Sequence, residues 1–154
     1  LISLNAPNFR PNSTGRQWYS LFPPDWNEAE IAVDKLLDTL KAFNKTKIPL
    51  KKTVLLGFSQ GGAMAIDAGL RLHLGLVISC SGYSHPDWNP IINNPVLLSH
   101  GSQDEVVPIR ASREISARLR SQTNLTNKLY EYNCLHTIHP DFIDVIRLKI
   151  KELF

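Results

Sequence analysis

The stretch Gly57-Phe58-Ser59-Gln60-Gly61-Gly62 constrains this chain more than any other. Before it stands Thr53-Val54-Leu55-Leu56, apolar without polar alternation, as expected of a strand covered on both faces. After it comes a run of small residues, Ala63 and Ala65 among them, that predicts a slim helix from about Gly61 to His73. A G-x-S-x-G between a buried strand and a helix predicts a sharp turn that lifts Ser59 above the strand ends. Gly57 and Gly61 carry no side chains, so strand and helix can approach within that bend. The helix start aims backbone N–H groups and the positive end of a dipole at the serine. Ser59 is therefore the candidate nucleophile and the Gln60 N–H a candidate oxyanion donor. The plainer alternative is a glycine-rich turn with an incidental serine.

The rest of the chain alternates short apolar runs with segments of helical period. Leu1 to Pro7 reads as the end of a strand, with Ile2–Asn5 as its body. A long helix is expected from Asn27, with Asn27 as cap and Glu30 as capping-box partner. Ala29, Ala32, Val33, Leu36, Leu37, Leu40 and Phe43 form its apolar stripe. Further strands are expected at Leu74 to Cys80, Pro95 to His100 and Lys128 to Tyr132. Between the first two lies a Pro/Asn-rich loop, Ser84 to Asn94. Pro108 and Pro140 open two more helices. Strand and helix in alternation call for a mostly parallel sheet with helices on both faces. At 154 residues the chain fits a single domain, residues 1–154, able to bury about 70% of its unfolded surface.

Composition removes several function classes. No apolar run approaches the roughly 20 residues needed to cross a bilayer, so no integral membrane association is expected. The net charge of +3 is not gathered into a dense patch. Arg110, Arg113, Arg118 and Arg120 alternate with apolar residues and read as a solvated helix face, so no nucleic-acid partner is expected. Cys80 and Cys134 lack metal-ligand spacing and read as buried free thiols of a reducing compartment, which points to the cytoplasm.

A serine hydroxyl needs a base, and the base an orienting acid, in the chain order Ser, acid, His. Asp104 lies in His100-Gly101-Ser102-Gln103-Asp104-Glu105-Val106-Val107-Pro108, directly after the third buried strand. There it stands on the sheet face where such sites are built. Glu105 is the alternative acid. His136 and His139 both fall between the last strand and the last helix. His136 is preferred as base, because His139 abuts Pro140 and Asp141 and suits a role at the helix start. His100 reads as a buried structural histidine, and His73 and His85 as surface or packing residues. This chemistry needs no metal or cofactor.

Taken together, these residues resemble the phospholipase/carboxylesterase family of α/β-hydrolases, which includes acyl-protein thioesterases and small bacterial carboxylesterases. Gly57 to Ala63 is similar to that family's elbow, Ser81-Gly82 follows the next strand as it does there, and His100-Gly101-x-x-Asp104-x-Val106-Val107-Pro108 resembles its acid loop. Asn5-Ala6-Pro7 with Trp18-Tyr19 is similar to the segment where an aromatic residue borders the acyl pocket. The resemblance implies Ser59 as nucleophile, Asp104 as acid, His136 as base and Trp18 as a substrate-binding residue. It also implies hydrolysis of a small-molecule or lipid acyl ester or thioester.

Two departures stand out. Leu135 occupies the position before the histidine where the family usually has glycine. The family's His-Gly-x-Gly-like loop, source of a second oxyanion N–H, has no counterpart between Leu1 and Ser59. The family's strand order also places a strand between Ile2–Asn5 and Thr53–Phe58 that this chain lacks. Each buried backbone group left unpartnered there costs about 1–3 kcal/mol. The expectation is therefore an α/β-hydrolase fold lacking its N-terminal strand or strands, an N-terminally incomplete copy of a longer hydrolase. Two alternatives accompany the esterase reading: a catalytically silent hydrolase-like fragment, and a lysophospholipase.

Overall fold

The structure, a computed structural model, describes residues 1–46, 48–89, 91, 94–122 and 127–153. In chain order the elements are strands β1 (Asn8–Phe9) and β2 (Arg16–Gln17), helix α1 (Trp26–Lys45), strand β3 (Val54–Phe58) and helix α2 (Gln60–Leu70). Strands β4 (Leu76–Cys80) and β5 (Val96–Gly101), helix α3 (Arg110–Gln122), strand β6 (Asn127–Tyr132) and helix α4 (Pro140–Leu153) complete them. Among the described residues the main sheet has four strands in the order β3-β4-β5-β6, every neighbouring pair parallel.

Side-chain alternation along the strands divides the core between two faces. Val77, Val96 and Leu98 join Ala65, Ile66 and Leu70 of α2 and Ile115 and Leu119 of α3 on one face. Leu76, Ile78 and Leu97 point the other way, onto Phe142 of α4. Both faces are covered, which is why β4 and β5 are buried throughout and mostly apolar instead of alternating. Helix α1 lies behind α2, its stripe from Ala29 to Leu40 packed on Met64, Ala68 and Tyr19. The expected architecture, a parallel sheet with helices on both faces, is present.

Several local expectations need correction. Residues 1–6 form no strand; Leu1 and Ile2 are exposed, and no described strand lies alongside to take their backbone hydrogen bonds. The first paired backbone is Asn8–Phe9 against Arg16–Gln17, an antiparallel ribbon separate from the main sheet. Helix α1 starts at Trp26, not Asn27. Its cap is Asp25, whose carboxylate accepts from the Glu28 N–H at 2.9 Å. Glu28, not Glu30, is the acidic residue that ties the helix start down, accepting from Ser20 N–H at 2.7 Å and from the Asn8 amide at 2.6 Å.

Helix α2 stops at Leu70 and β4 begins at Leu76. Between them the Leu74 N–H donates to the Asn94 side chain, which in turn donates to the carbonyls of Gly69 and Leu72. Helix α3 starts at Arg110, two residues beyond Pro108. Of the 84–94 loop, residues 90, 92 and 93 lie outside the described residues.

Cys80 is buried, but Cys134 is half-exposed. The four arginines of α3 are exposed, and Arg113 grips Glu131 with two hydrogen bonds of 2.9 and 2.7 Å. No described helix is long and apolar enough to cross a membrane. Strand β3 stands at the edge of the sheet, with Leu56 44% exposed.

Candidate active site

Ser59 sits between β3 and α2 with φ 55° and ψ −120°, a conformation that costs a non-glycine residue about 1–3 kcal/mol. The surrounding backbone enforces it. Ser59 N–H donates to the Cys80 carbonyl at 2.8 Å, and its carbonyl accepts from Gly62 and Ala63 at 2.9 and 3.1 Å. A Cβ on Gly57 would lie 1.8 Å from the Gly61 carbonyl oxygen, so only glycine permits strand and helix to close this tightly. The Ser59 side chain makes no capping bond to α2. The N–H groups of Gln60 and Gly61 stand in the first turn, where a helix offers them no internal acceptor.

Asp104 lies just beyond the C-terminal end of β5. One carboxylate oxygen accepts from the N–H groups of Val106 and Val107 at 3.0 and 2.9 Å. The other lies 2.7 Å from His136 Nδ1. A carboxylate can only accept, so Nδ1 carries the proton and the lone pair rests on Nε2. Burial by itself pushes the Asp104 carboxyl up, but the bonds from His136 and the Val107 N–H outweigh it and hold the group below the ordinary carboxylate range. The Ser81 hydroxyl is buried without a hydrogen-bond partner among the described residues.

The loop carrying His136 is held against the acid loop by backbone contacts. Ser102 N–H donates to Tyr132 and Gln103 N–H to Cys134, at 2.7 and 3.1 Å. Gly101 makes this approach possible, since a Cβ there would meet the Cys134 carbonyl oxygen at 2.3 Å. Leu135, in the position where glycine was expected, turns outward and is 60% exposed. The His136 ring rests on Phe58, 4.7 Å between centroids, which sets it beside the residue preceding Ser59. Among the described residues no hydrogen bond closes from His136 to the Ser59 hydroxyl; such bonds are often loose without substrate.

The other candidates take different roles. His139 stacks on Tyr132 at 4.5 Å with ring planes 3° apart, and its Nδ1 accepts from the Asp141 N–H. Glu105 is exposed. His100 is buried beside the acid, with Nε2 2.7 Å from the Val107 carbonyl and 3.3 Å from Asp104 Oδ2, and Nδ1 2.6 Å from the Ser112 hydroxyl. Because a carbonyl can only accept, Nε2 is the protonated nitrogen, and the ring ties the acid loop to α3.

Trp18 lies over the start of α2, its indole nitrogen 4.0 Å from where a Cβ on Gly61 would stand. The Gln60 side chain fixes it there, accepting from Trp18 N–H at 2.9 Å and donating to the Tyr19 carbonyl at 2.8 Å. Sequence reasoning had assigned Gln60 only a backbone role. It also missed a second buried Asp–His pair, Asp67 with His85 at 2.7 Å, whose imidazole reaches the Tyr19 hydroxyl at 2.8 Å. One signal was available: Asp67 is the lone acid in an otherwise small and apolar helix. Cavities of about 430 and 390 Å³ flank Asp67 and Arg71, and neither is lined by Ser59, Asp104 or His136.

Comparison with known proteins bears on the family and the fold. The phospholipase/carboxylesterase family profile matches residues 1–153. Acyl-protein thioesterase 1 of Eremothecium gossypii is 31% identical over 92% of this chain, and that of Kluyveromyces lactis 29% identical over 69%. The chain spans 66% and 56% of those two relatives' lengths. The crystal structure of esterase PE8 superposes with a TM-score of 0.83 at 29% identity, over 97% of this chain and 76% of that one. By its profile, its relatives and its fold, the chain belongs to the phospholipase/carboxylesterase family of α/β-hydrolases.

Proposed function

We propose that this chain carries the catalytic centre of a serine hydrolase that cleaves carboxylic esters or thioesters. His136 Nε2 takes the proton of the Ser59 hydroxyl as its oxygen attacks the acyl carbonyl. Asp104 holds the imidazole in the tautomer that leaves Nε2 free and stabilises the imidazolium that forms. The Gln60 N–H, at the positive end of α2, donates to the developing oxyanion. Collapse of the tetrahedral intermediate breaks the ester or thioester bond, and the alcohol or thiol leaves with the proton held on His136. Water, deprotonated by His136, then attacks the acyl-enzyme and releases the acid with Ser59 regenerated. Trp18 borders the acyl group. The substrate is a small-molecule or lipid acyl ester or thioester, handled in the cytoplasm.

The observation that carries this reading is the Asp104–His136 hydrogen bond of 2.7 Å, on a ring that packs against Phe58 beside the strained Ser59. The esterase and thioesterase names of the relatives add support. Hydrolysis of p-nitrophenyl acetate and butyrate by the full-length protein tests it. Turnover that disappears in Ser59→Ala is expected. Equal rates in both proteins would favour a catalytically silent hydrolase-like domain.

A further inference from the structure

Asp67, His85 and Tyr19 form a buried polar chain that the proposed reaction does not use directly. Asp67 is held at one end by Arg71, whose guanidinium donates to one carboxylate oxygen at 2.9 and 2.7 Å. Its other oxygen lies 2.7 Å from His85 Nδ1, which therefore carries a proton. In the neutral imidazole this leaves Nε2 to accept from the Tyr19 hydroxyl at 2.8 Å. The Tyr19 oxygen then accepts from Tyr83 at 2.6 Å. Tyr19 is fully buried, and Asp67 and His85 nearly so. Burial pushes the Tyr19 phenol far above its ordinary range, so it stays a neutral hydrogen-bonding group.

This chain ends where the nucleophile begins. Tyr19 is followed back by one residue to Trp18, and both are gripped by the Gln60 side chain, the residue after Ser59. Tyr19 can be seated in only one position, because its ring packs edge-on to His85 at 5.2 Å while its hydroxyl meets two partners. The Trp18 indole, its nitrogen 4.0 Å from where a Cβ on Gly61 would stand, is carried by the neighbouring residue. On the serine hydrolase reading, a ring over the first residues after Ser59 would border the part of an acyl chain beyond the reacting carbonyl. Its position therefore matters more to a long chain than to an acetyl group.

We propose that the Asp67–His85–Tyr19 chain is a positioning device that fixes Trp18 beside Ser59 and so sets selectivity for acyl-chain length. The proposal rests on the serine hydrolase reading and names what governs its substrate. These three are positioning residues, since they act through Trp18.

The test compares kcat/KM for p-nitrophenyl octanoate and acetate in the full-length protein, its Tyr19→Phe variant and its Tyr83→Phe variant. Tyr19→Phe keeps the ring and removes the hydroxyl. The octanoate-to-acetate ratio is expected to fall about tenfold, the scale of one lost buried hydrogen bond, with the change residing mainly in KM. Tyr83→Phe, which removes only the outer hydroxyl, shifts the ratio the same way by a smaller factor. It decides the matter if Tyr19→Phe shows no cooperative melt. A merely structural chain would lower both rates together, and an unchanged ratio in folded variants overturns the proposal. Failure of the wild-type protein to hydrolyse either ester through Ser59 overturns the underlying reading as well.

Discussion

Asp104 Oδ2 lies 2.7 Å from His136 Nδ1, while its Oδ1 is committed to the N–H groups of Val106 and Val107. With these three hydrogen bonds, and the His100 Nε2–H 3.3 Å from Oδ2, the carboxylate holds a single orientation, and that orientation selects the imidazole tautomer. Asp104→Asn can keep the two backbone bonds only by turning its NH2 group toward His136. The ring must then accept at Nδ1, which puts the proton on Nε2 where the base is needed. A fall in kcat of about 10⁴ on p-nitrophenyl acetate is expected, with a fold that still melts cooperatively. A fall of less than tenfold would leave Asp104 without the orienting role.

The two histidines of the last loop separate cleanly in the structure. His136 is joined to the buried acid, whereas His139 stacks on Tyr132 and lies 3.7 Å from the exposed Asp141 carboxylate. His136→Ala is expected to abolish measurable esterase turnover, and His139→Ala to keep kcat within about threefold. Steady-state kinetics on the two variants checks this, and the reverse ranking would exchange the assignments.

The elbow makes an asymmetric demand on its glycines. A methyl group at position 57 would collide with backbone at 1.8 Å, while one at position 61 meets nothing nearer than the Trp18 indole nitrogen at 4.0 Å. Gly57→Ala is expected to destabilise by about 3 kcal/mol or more, since backbone cannot yield as a side chain would. Gly61→Ala is expected to change stability by less than about 1 kcal/mol. Urea unfolding midpoints of the pair measure the difference.

Acid sensitivity follows from the two buried carboxylates. Burial alone raises the Asp67 carboxyl, but His85 and Arg71 outweigh it and hold the group below its ordinary value; Asp104 is also held low. A carboxyl depressed in the folded state contributes stability above its unfolded value, about 3.9, and loses it as pH falls through the folded value. Stability should therefore drop below about pH 4. Asp67→Asn should be less stable at pH 7 and flatter in this acid limb. Thermal melts across that range would contradict this if the variant's slope matched the parent's.

The elbow was legible because its demands are local: Gly57, Ser59 and Gly61 announce a turn that few other sequences can make. The place of Asp104 just beyond β5 was legible from the apolar run before it, and the α1 stripe from its period. What could not be read depends on partners distant in sequence. Ile2–Asn5 has strand-like residues but, among the described residues, no neighbouring strand to pair with. The Asn27 cap was displaced to Asp25 because Glu28 is drawn to Ser20 and Asn8, contacts that local spacing does not reveal. The Asp67–His85–Tyr19 chain joins residues 18 and 66 positions apart, and nothing in either neighbourhood points to the other.

The central claim is that Ser59 is a nucleophile activated through His136. Labelling of the full-length protein with a fluorophosphonate probe, followed by mass-spectrometric mapping of the modified peptide, tests it most directly. The account predicts one adduct, on Ser59, lost in Ser59→Ala and strongly slowed in His136→Ala. A folded full-length protein that takes no label, or takes it on another residue, would contradict it.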